Sequence, residues 1–204
     1  MVEDAAPEAL VGRARRAIGR LGQERLARSY WTTFWLPRGA APSGPVEELA
    51  LALWAVARPR GCAGLEWWLG RSYTTRIPVG FHFDQDVKAA RGLRHPALGS
   101  VFFFNAVRGG HLAVTEQVAG PRGEPVPAVP SRLETVAPRR NRYALFPGGL
   151  FHGVLDANGR TPGRPLPGPR GRLRLTLVVN YWARRPTGVP TFAESGAYRA
   201  LTKG

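Results

Sequence analysis

The sequence predicts a mainly β protein, a sandwich or jelly roll of antiparallel strands with an N-terminal α-helical buttress. Two observations carry that prediction. From Gly64 onward, short runs rich in Val, Phe, Tyr, Trp and Leu recur between clusters of Gly and Pro, with no third long helical pattern. Seven or more short strands in about 120 residues leave no helices to cover a parallel sheet. A hydrophobic content of 44% in 204 residues excludes disorder of the whole chain and suffices for one sizeable core. The expected division is a helical extension over residues 1–63 and a β domain over residues 64–204.

Each element follows from its residues. Between residues 4 and 29, Leu10, Val11, Ala14, Ile18 and Leu21 recur at spacings of three and four, which predicts an amphipathic helix. The stretch Leu36–Pro45 breaks the chain. Pro45, with Glu47 and Glu48 in the first turn, starts a second helix that ends before Pro59. Strands are expected at Leu65–Thr74, Val79–Asp86, Ser100–Asn105, His111–Glu116, Arg142–Phe146, Leu150–Leu155 and Arg172–Trp182. Ala119–Pro130 and Ala157–Gly171, dense in Pro, Gly and Arg, read as long loops.

Composition narrows the function classes. The single cysteine, Cys62, excludes an internal disulfide and any thiol cluster for zinc or iron–sulfur chemistry. Acids at Glu3, Asp4 and Glu8 replace the basic head of a signal peptide, and no run of about 18 apolar residues occurs. A soluble, cytoplasmic protein with no membrane partner is expected. The formal charge of +15 favours anionic partners, nucleic acid among them. However, all the basic residues except Lys88 and Lys203 are arginines, scattered among 25 Gly and 19 Pro, which reads as a compositional bias rather than a binding tract.

Four histidines are present, and two have informative surroundings. In Gly80-Phe81-His82-Phe83-Asp84-Gln85-Asp86, extended residues two apart share a face, so His82 and Asp84 can converge on one ion. His152 emerges from the apolar run Leu150–Val154 after a Pro-Gly-Gly turn. A His-x-carboxylate pair joined by a distant histidine is the facial triad of non-haem iron(II) sites, which leaves coordination positions open. About twenty residues on, Arg172, Arg174 and Thr176 share one face of an alternating strand. An inward guanidinium there needs a carboxylate, held by paired hydrogen bonds with a third from the hydroxyl. His95, beside Pro96 and near two arginines, reads as an exposed loop histidine, while Trp67, Trp68 and Tyr73 read as core.

In order, His82-Phe83-Asp84, the Ser100–Asn105 strand with Gly109-Gly110-His111-Leu112, Leu145-Phe146-Pro147 leading to His152, and Arg174-Leu175-Thr176 resemble a known pattern. It is the double-stranded β-helix of iron(II)/2-oxoglutarate-dependent oxygenases, particularly the prolyl-4-hydroxylase-like branch. The resemblance covers roughly half the chain. It implies that His82, Asp84 and His152 bind Fe(II), and that Arg174, assisted by Thr176, binds the distal carboxylate of 2-oxoglutarate. It also implies a dioxygenase that consumes O₂, releases succinate and CO₂, and hydroxylates a substrate the sequence does not name. Three departures stand beside it. His111 occupies a position where the family often has Glu or Thr. No tyrosine lies in Val101–Asn105, so that hydrogen bond to the co-substrate is missing or comes from elsewhere, with Tyr73 a candidate. Arg172 shares the face of Arg174 as a second possible anchor. Asp86 is a second carboxylate, expected to orient a ligand or contact substrate. The competing reading is a non-catalytic jelly-roll module that binds nucleic acid or another anionic partner.

Overall fold

The computed structural model describes residues 1–22, 32–71, 80–90, 92–161 and 174–202. Two helices precede the main strands: α1 (Glu8–Gly19) and α2 (Pro45–Ala57). Pro45 sits in the first turn of α2, where its missing N–H costs nothing, and Arg58 closes the helix in the left-handed conformation. Both helices bury one stripe, Leu10, Val11, Ala14 and Ile18 on α1 and Val46, Leu49, Ala50 and Leu53 on α2.

That stripe packs on a five-stranded antiparallel sheet. Its strands, in spatial order, are β1 (Phe34–Pro37), β2 (Gly64–Arg71), β9 (Leu175–Trp182), β3 (Leu98–Phe103) and β7 (Arg142–Pro147). Leu65, Trp67 and Leu69 of β2 alternate toward the helices, as do Leu177, Val179 and Tyr181 of β9. The opposite face meets a second sheet, in which β4 (His111–Ala119) pairs with β5 (Pro125–Val126) and β6 (Leu133–Val136) along one edge. Along the other edge it pairs with β8 (Leu150–Leu155). Val101, Phe103, Leu112, Ala144 and Phe146 form a smaller core between the sheets. Helices, sheet and second sheet give three layers, and the two facing sheets make the distorted jelly roll.

Several sequence expectations change. The expected strand Val79–Asp86 is replaced, over its described residues, by irregular chain with one isolated bridge, His82 to His152. β1 falls inside the stretch assigned to the helical extension, and extends the main sheet through pairs such as Trp35 with Glu66. The expected loop Ala119–Pro130 contains β5, and β6 follows it. With four residues, one of them Glu134 and three of them exposed, β6 is too short and too open to show the apolar alternation that would have marked it. Much of the second expected loop, residues 162–171, lies outside the described residues.

Beyond the helices, the N-terminal residues are tied down. Val2 exchanges two backbone hydrogen bonds with Tyr143, and the Asn141 side chain bonds both the N–H and the carbonyl of Ala6. Asn141 holds a left-handed backbone (φ 59°), which asparagine tolerates better than most residues. Beneath it, the Tyr143 hydroxyl lies 2.9 Å from Ser100 Oγ and 2.7 Å from the Tyr181 hydroxyl. Burial pushes the Tyr143 hydroxyl up to about 12, so these buried hydroxyls remain neutral hydrogen-bonding groups.

Candidate metal centre

Strand β8 presents His152 inward, where it is 6% exposed. The chain around His82 lies along the free edge of β8: His82 N–H donates to the His152 carbonyl at 2.8 Å and His152 N–H returns the bond at 3.0 Å. This close approach requires Gly153. A Cβ at that position would lie 2.8 Å from the Phe81 ring and 3.0 Å from its Cα. The pairing sets the two imidazoles side by side, with ring centroids 4.6 Å apart.

Both rings are fixed in one tautomer by the main chain. His82 Nδ1 lies 2.9 Å from the Gly80 carbonyl and His152 Nδ1 lies 2.9 Å from the Leu150 carbonyl. A carbonyl only accepts, so each Nδ1 carries a proton, and each Nε2 is the nitrogen left for a metal ion or, without one, for a proton donated to Asp84. Both Nε2 atoms face Asp84, one 3.4 Å from Oδ1 and the other 3.4 Å from Oδ2. One donor atom from each of the three residues lies within 4.8 Å of the others. Two imidazole nitrogens and one carboxylate, each oriented by a second hydrogen bond, match the donor set that suits a divalent first-row ion with open positions.

The surroundings hold Asp84 in place. Asn180 on β9 donates from Nδ2 to Asp84 Oδ2 at 2.9 Å, and His95 donates from Nδ1 to the Asp84 main-chain carbonyl at 2.7 Å. His95 is therefore a half-buried supporting residue, correcting the expectation of an exposed loop histidine. Burial by itself would raise the Asp84 carboxyl. The hydrogen bonds and charge of His152 and His82 together outweigh it and hold the group well below the usual carboxylate range. Burial likewise opposes charge on His82, but Asp84 beside it raises the imidazole.

Asp86 stands apart from the three. Its Oδ2 accepts from the Thr187 N–H at 3.0 Å and hydroxyl at 2.9 Å, and its Oδ1 accepts from the Lys88 N–H at 3.2 Å. It ties two loops together rather than joining the triad. His111 opens β4 opposite Leu155 and is likewise outside the cluster.

Between β9 and the first loops, a cavity of about 750 Å³ reaches the triad. Its floor is the inner face of β2 and β9, with Glu66, Trp68, Asn180 and Trp182. His82 and Asp84 form one wall and residues 186–190 another. Glu66 accepts from Trp182 Nε1 at 3.1 Å. Burial, countered by a Thr33 hydrogen bond and aided by the nearby Asp84 charge, pushes its carboxyl up to about 7.

No protein-family model and no curated protein matches the chain. Among solved structures, it is similar to the non-heme alpha ketoglutarate dependent epimerase SnoN from nogalamycin biosynthesis. The TM-score is 0.56 at 17% identity, covering 92% of this chain and 81% of that one. A SnoN complex with Fe3+, alpha ketoglutarate and nogalamycin RO gives 0.53 at 16% identity over the same shares. This is the fold of the 2-oxoglutarate-dependent oxygenases. A Pseudomonas putida prolyl-4-hydroxylase is also similar, with a TM-score of 0.47 and 20% identity over 90% of this chain and 86% of that one. The assignment of this fold rests on SnoN, whose scores are the higher.

Within this oxygenase fold, the expected residues separate into three groups. His82, Asp84 and His152 come together as expected. Arg174 is buried at the start of β9, its guanidinium carbon 5.2 Å from the centre of the Phe103 ring and its Nε donating to the Gly110 carbonyl at 2.7 Å. Phe103 thus meets the arginine through its ring face on the strand where a tyrosine was missed. Thr176, two residues on and within β9, is buried too, and its hydroxyl donates to the Gly70 carbonyl at 3.2 Å. Tyr73 and Arg172 lie outside the described residues. Sequence reading missed Asn180, His95 and Glu66. One signal was available for each of two: Glu66 is the lone acid in the apolar run Leu65–Leu69, and Asn180 the lone amide in Leu177–Trp182.

Proposed function

We propose that the protein is an iron(II)- and 2-oxoglutarate-dependent oxygenase that hydroxylates a substrate held in the cavity beside the triad. The observation that carries this reading is the pair of imidazoles whose Nδ1 protons are both committed to backbone carbonyls, leaving both Nε2 atoms directed at one carboxylate. His82, Asp84 and His152 would hold the iron. Iron bound there with 2-oxoglutarate would activate O₂, the oxidant, whose two oxygen atoms end in succinate and in the hydroxylated product as CO₂ is released.

The chain's own residues do the rest. Gly80 and Leu150 carbonyls hold the tautomers, Asn180 fixes the Asp84 carboxylate and His95 holds the Asp84 main chain, so the donor atoms are positioned before metal arrives. Arg174, buried and always charged, is the candidate anchor for the distal carboxylate of 2-oxoglutarate, with Thr176 two residues away on its face. The cavity floor, partly shielded by Trp68 and Trp182, limits water near the reacting atoms.

Purified protein titrated with iron(II) under nitrogen should bind about one equivalent, and succinate should form once 2-oxoglutarate and air are added. His82→Ala and Asp84→Ala should each remove both properties. Iron-dependent succinate release that persists in both variants would overturn the assignment. So would steep salt-dependent binding of nucleic acid that survives removal of iron with no succinate formed.

A further inference from the structure

The inner face of β2 and β9 gives the cavity a chemical character opposite to that of the chain. Glu66 and Asn180 are direct cross-strand partners in the antiparallel register, and both line the cavity. Directly opposed residues on one face lie about 5 Å apart at Cβ, close enough to share one ligand group. Asn180 is 1% exposed, and its Nδ2 is used on Asp84. Its Oδ1 has no hydrogen-bond partner among the described residues. A buried carbonyl left in that state loses the hydrogen bond it had in water, so it calls for a donor from a bound molecule.

Glu66 is the second acceptor. One of its oxygens takes the Trp182 indole N–H, and a carboxylate has lone pairs for more. Around the two acceptors stand Trp68, Trp182, Phe81 and Phe83, whose ring faces favour cations. Among the described residues, the lining holds three carboxylates, Glu66, Asp84 and Asp86, and one cationic side chain, the exposed Lys88. In a protein of charge +15, that balance is a local reversal. Asp86 is already bonded to Thr187 and Lys88, and Asp84 belongs to the triad. Glu66 is the carboxyl of the three that remains for a ligand.

We infer that Glu66 and Asn180 anchor a protonated amino group of the substrate, so that the cavity takes an organic ammonium compound with an apolar body. An ammonium carries three donors and no acceptor, which suits one carboxylate and one amide oxygen side by side. The apolar body lies against Trp68 and the phenylalanines, and the amine is held one hydrogen-bonded step from Asp84, because Asn180 touches both. The inference rests on the oxygenase reading for its consequence, the position of the reacting carbon, but not for the binding itself.

The test uses the full chain and three probes of one shape: benzylamine, benzyl alcohol and benzoate. Binding to metal-free protein is read by tryptophan fluorescence, since Trp68 and Trp182 line the cavity, and iron binding is titrated separately. Benzylamine should bind at least about tenfold more tightly than either analogue, and Glu66→Gln should reduce that preference to within about twofold while leaving iron binding in place. Equal binding of benzoate or benzyl alcohol overturns the inference, as does a preference that Glu66→Gln leaves intact. Should that variant fail to fold, the wild-type Trp182 indole N–H signal, assigned with Trp182→Phe, decides. It should shift with benzylamine and stay fixed with benzyl alcohol, and the reverse overturns the proposal. A preference for benzylamine in a protein that binds no iron would keep the anchor and remove the oxygenase reading.

Discussion

Strands β2 and β9 run side by side, yet their two faces have opposite roles. Toward the helices they present Leu65, Trp67, Leu69, Leu177, Val179 and Tyr181, all within 5% of full burial. Toward the cavity they present Glu66, Trp68, Asn180 and Trp182. The alternation of a strand permits this, because each face can be specified almost independently. The helix-facing side supplies the stability that lets the cavity side keep buried polar groups, an unbonded amide oxygen among them.

The comparison is broken most completely at the triad. Asp84→Ala and His152→Ala should each lower iron affinity by more than about 100-fold, since loss even of an outer hydrogen-bonding partner commonly costs 10- to 100-fold. Thermal unfolding of the metal-free variants should still be cooperative, because neither residue belongs to the helix-backed core. Anaerobic iron titration and calorimetry check both halves. The converse substitution is Trp67→Ala, on the other face of the same strand. It should destabilise by about 3–5 kcal/mol, through a large cavity and the loss of the indole bond to Glu47, while the folded fraction binds iron as before.

Glu66→Gln sharpens the contrast through pH. Burial leaves the Glu66 carboxyl at about 7 against an ordinary 4.5, with Asp84 and Asp86 as its charged neighbours. A carboxyl raised on folding contributes fully below its unfolded value, and that contribution is lost as pH climbs through its folded value. Metal-free wild type should therefore fall behind the Gln variant between about pH 4.5 and 7, reaching a deficit of about 3 kcal/mol at pH 8 and none at pH 4. Urea unfolding at the two pH values measures it, and a pH-independent difference would sink the idea. The smallest effect is expected at His95. Removing its bond to the Asp84 main chain in His95→Ala should weaken iron binding about tenfold with little change in melting temperature.

How much of this was legible beforehand depended on how local the signal was. The helices and most strands followed from apolar spacing, and the His-x-Asp pair with a distant histidine was readable as residue types alone. β6 was not, because a four-residue strand with Leu133, Glu134 and Thr135 all exposed gives too little alternation to betray it. The His82 segment was read as a strand and found its site through a single bridge, since convergence on a metal needs two side chains on one side and not a full ladder. Asn180 and His95 were invisible for another reason. Each acts on Asp84 across 96 or 11 residues of sequence, and only folding brings them together. The Gly70 carbonyl that accepts from Thr176 was equally out of view, because it sits on the neighbouring strand and no spacing rule names it.

Asp86 carries a final consequence. Its carboxylate fastens Thr187 to the very peptide that bears His82 and Asp84, so the far wall of the cavity and two of the three candidate metal donors are mechanically one piece. A guest leaning on residues 186–190 would be felt, through a single acidic side chain, where the chemistry is staged.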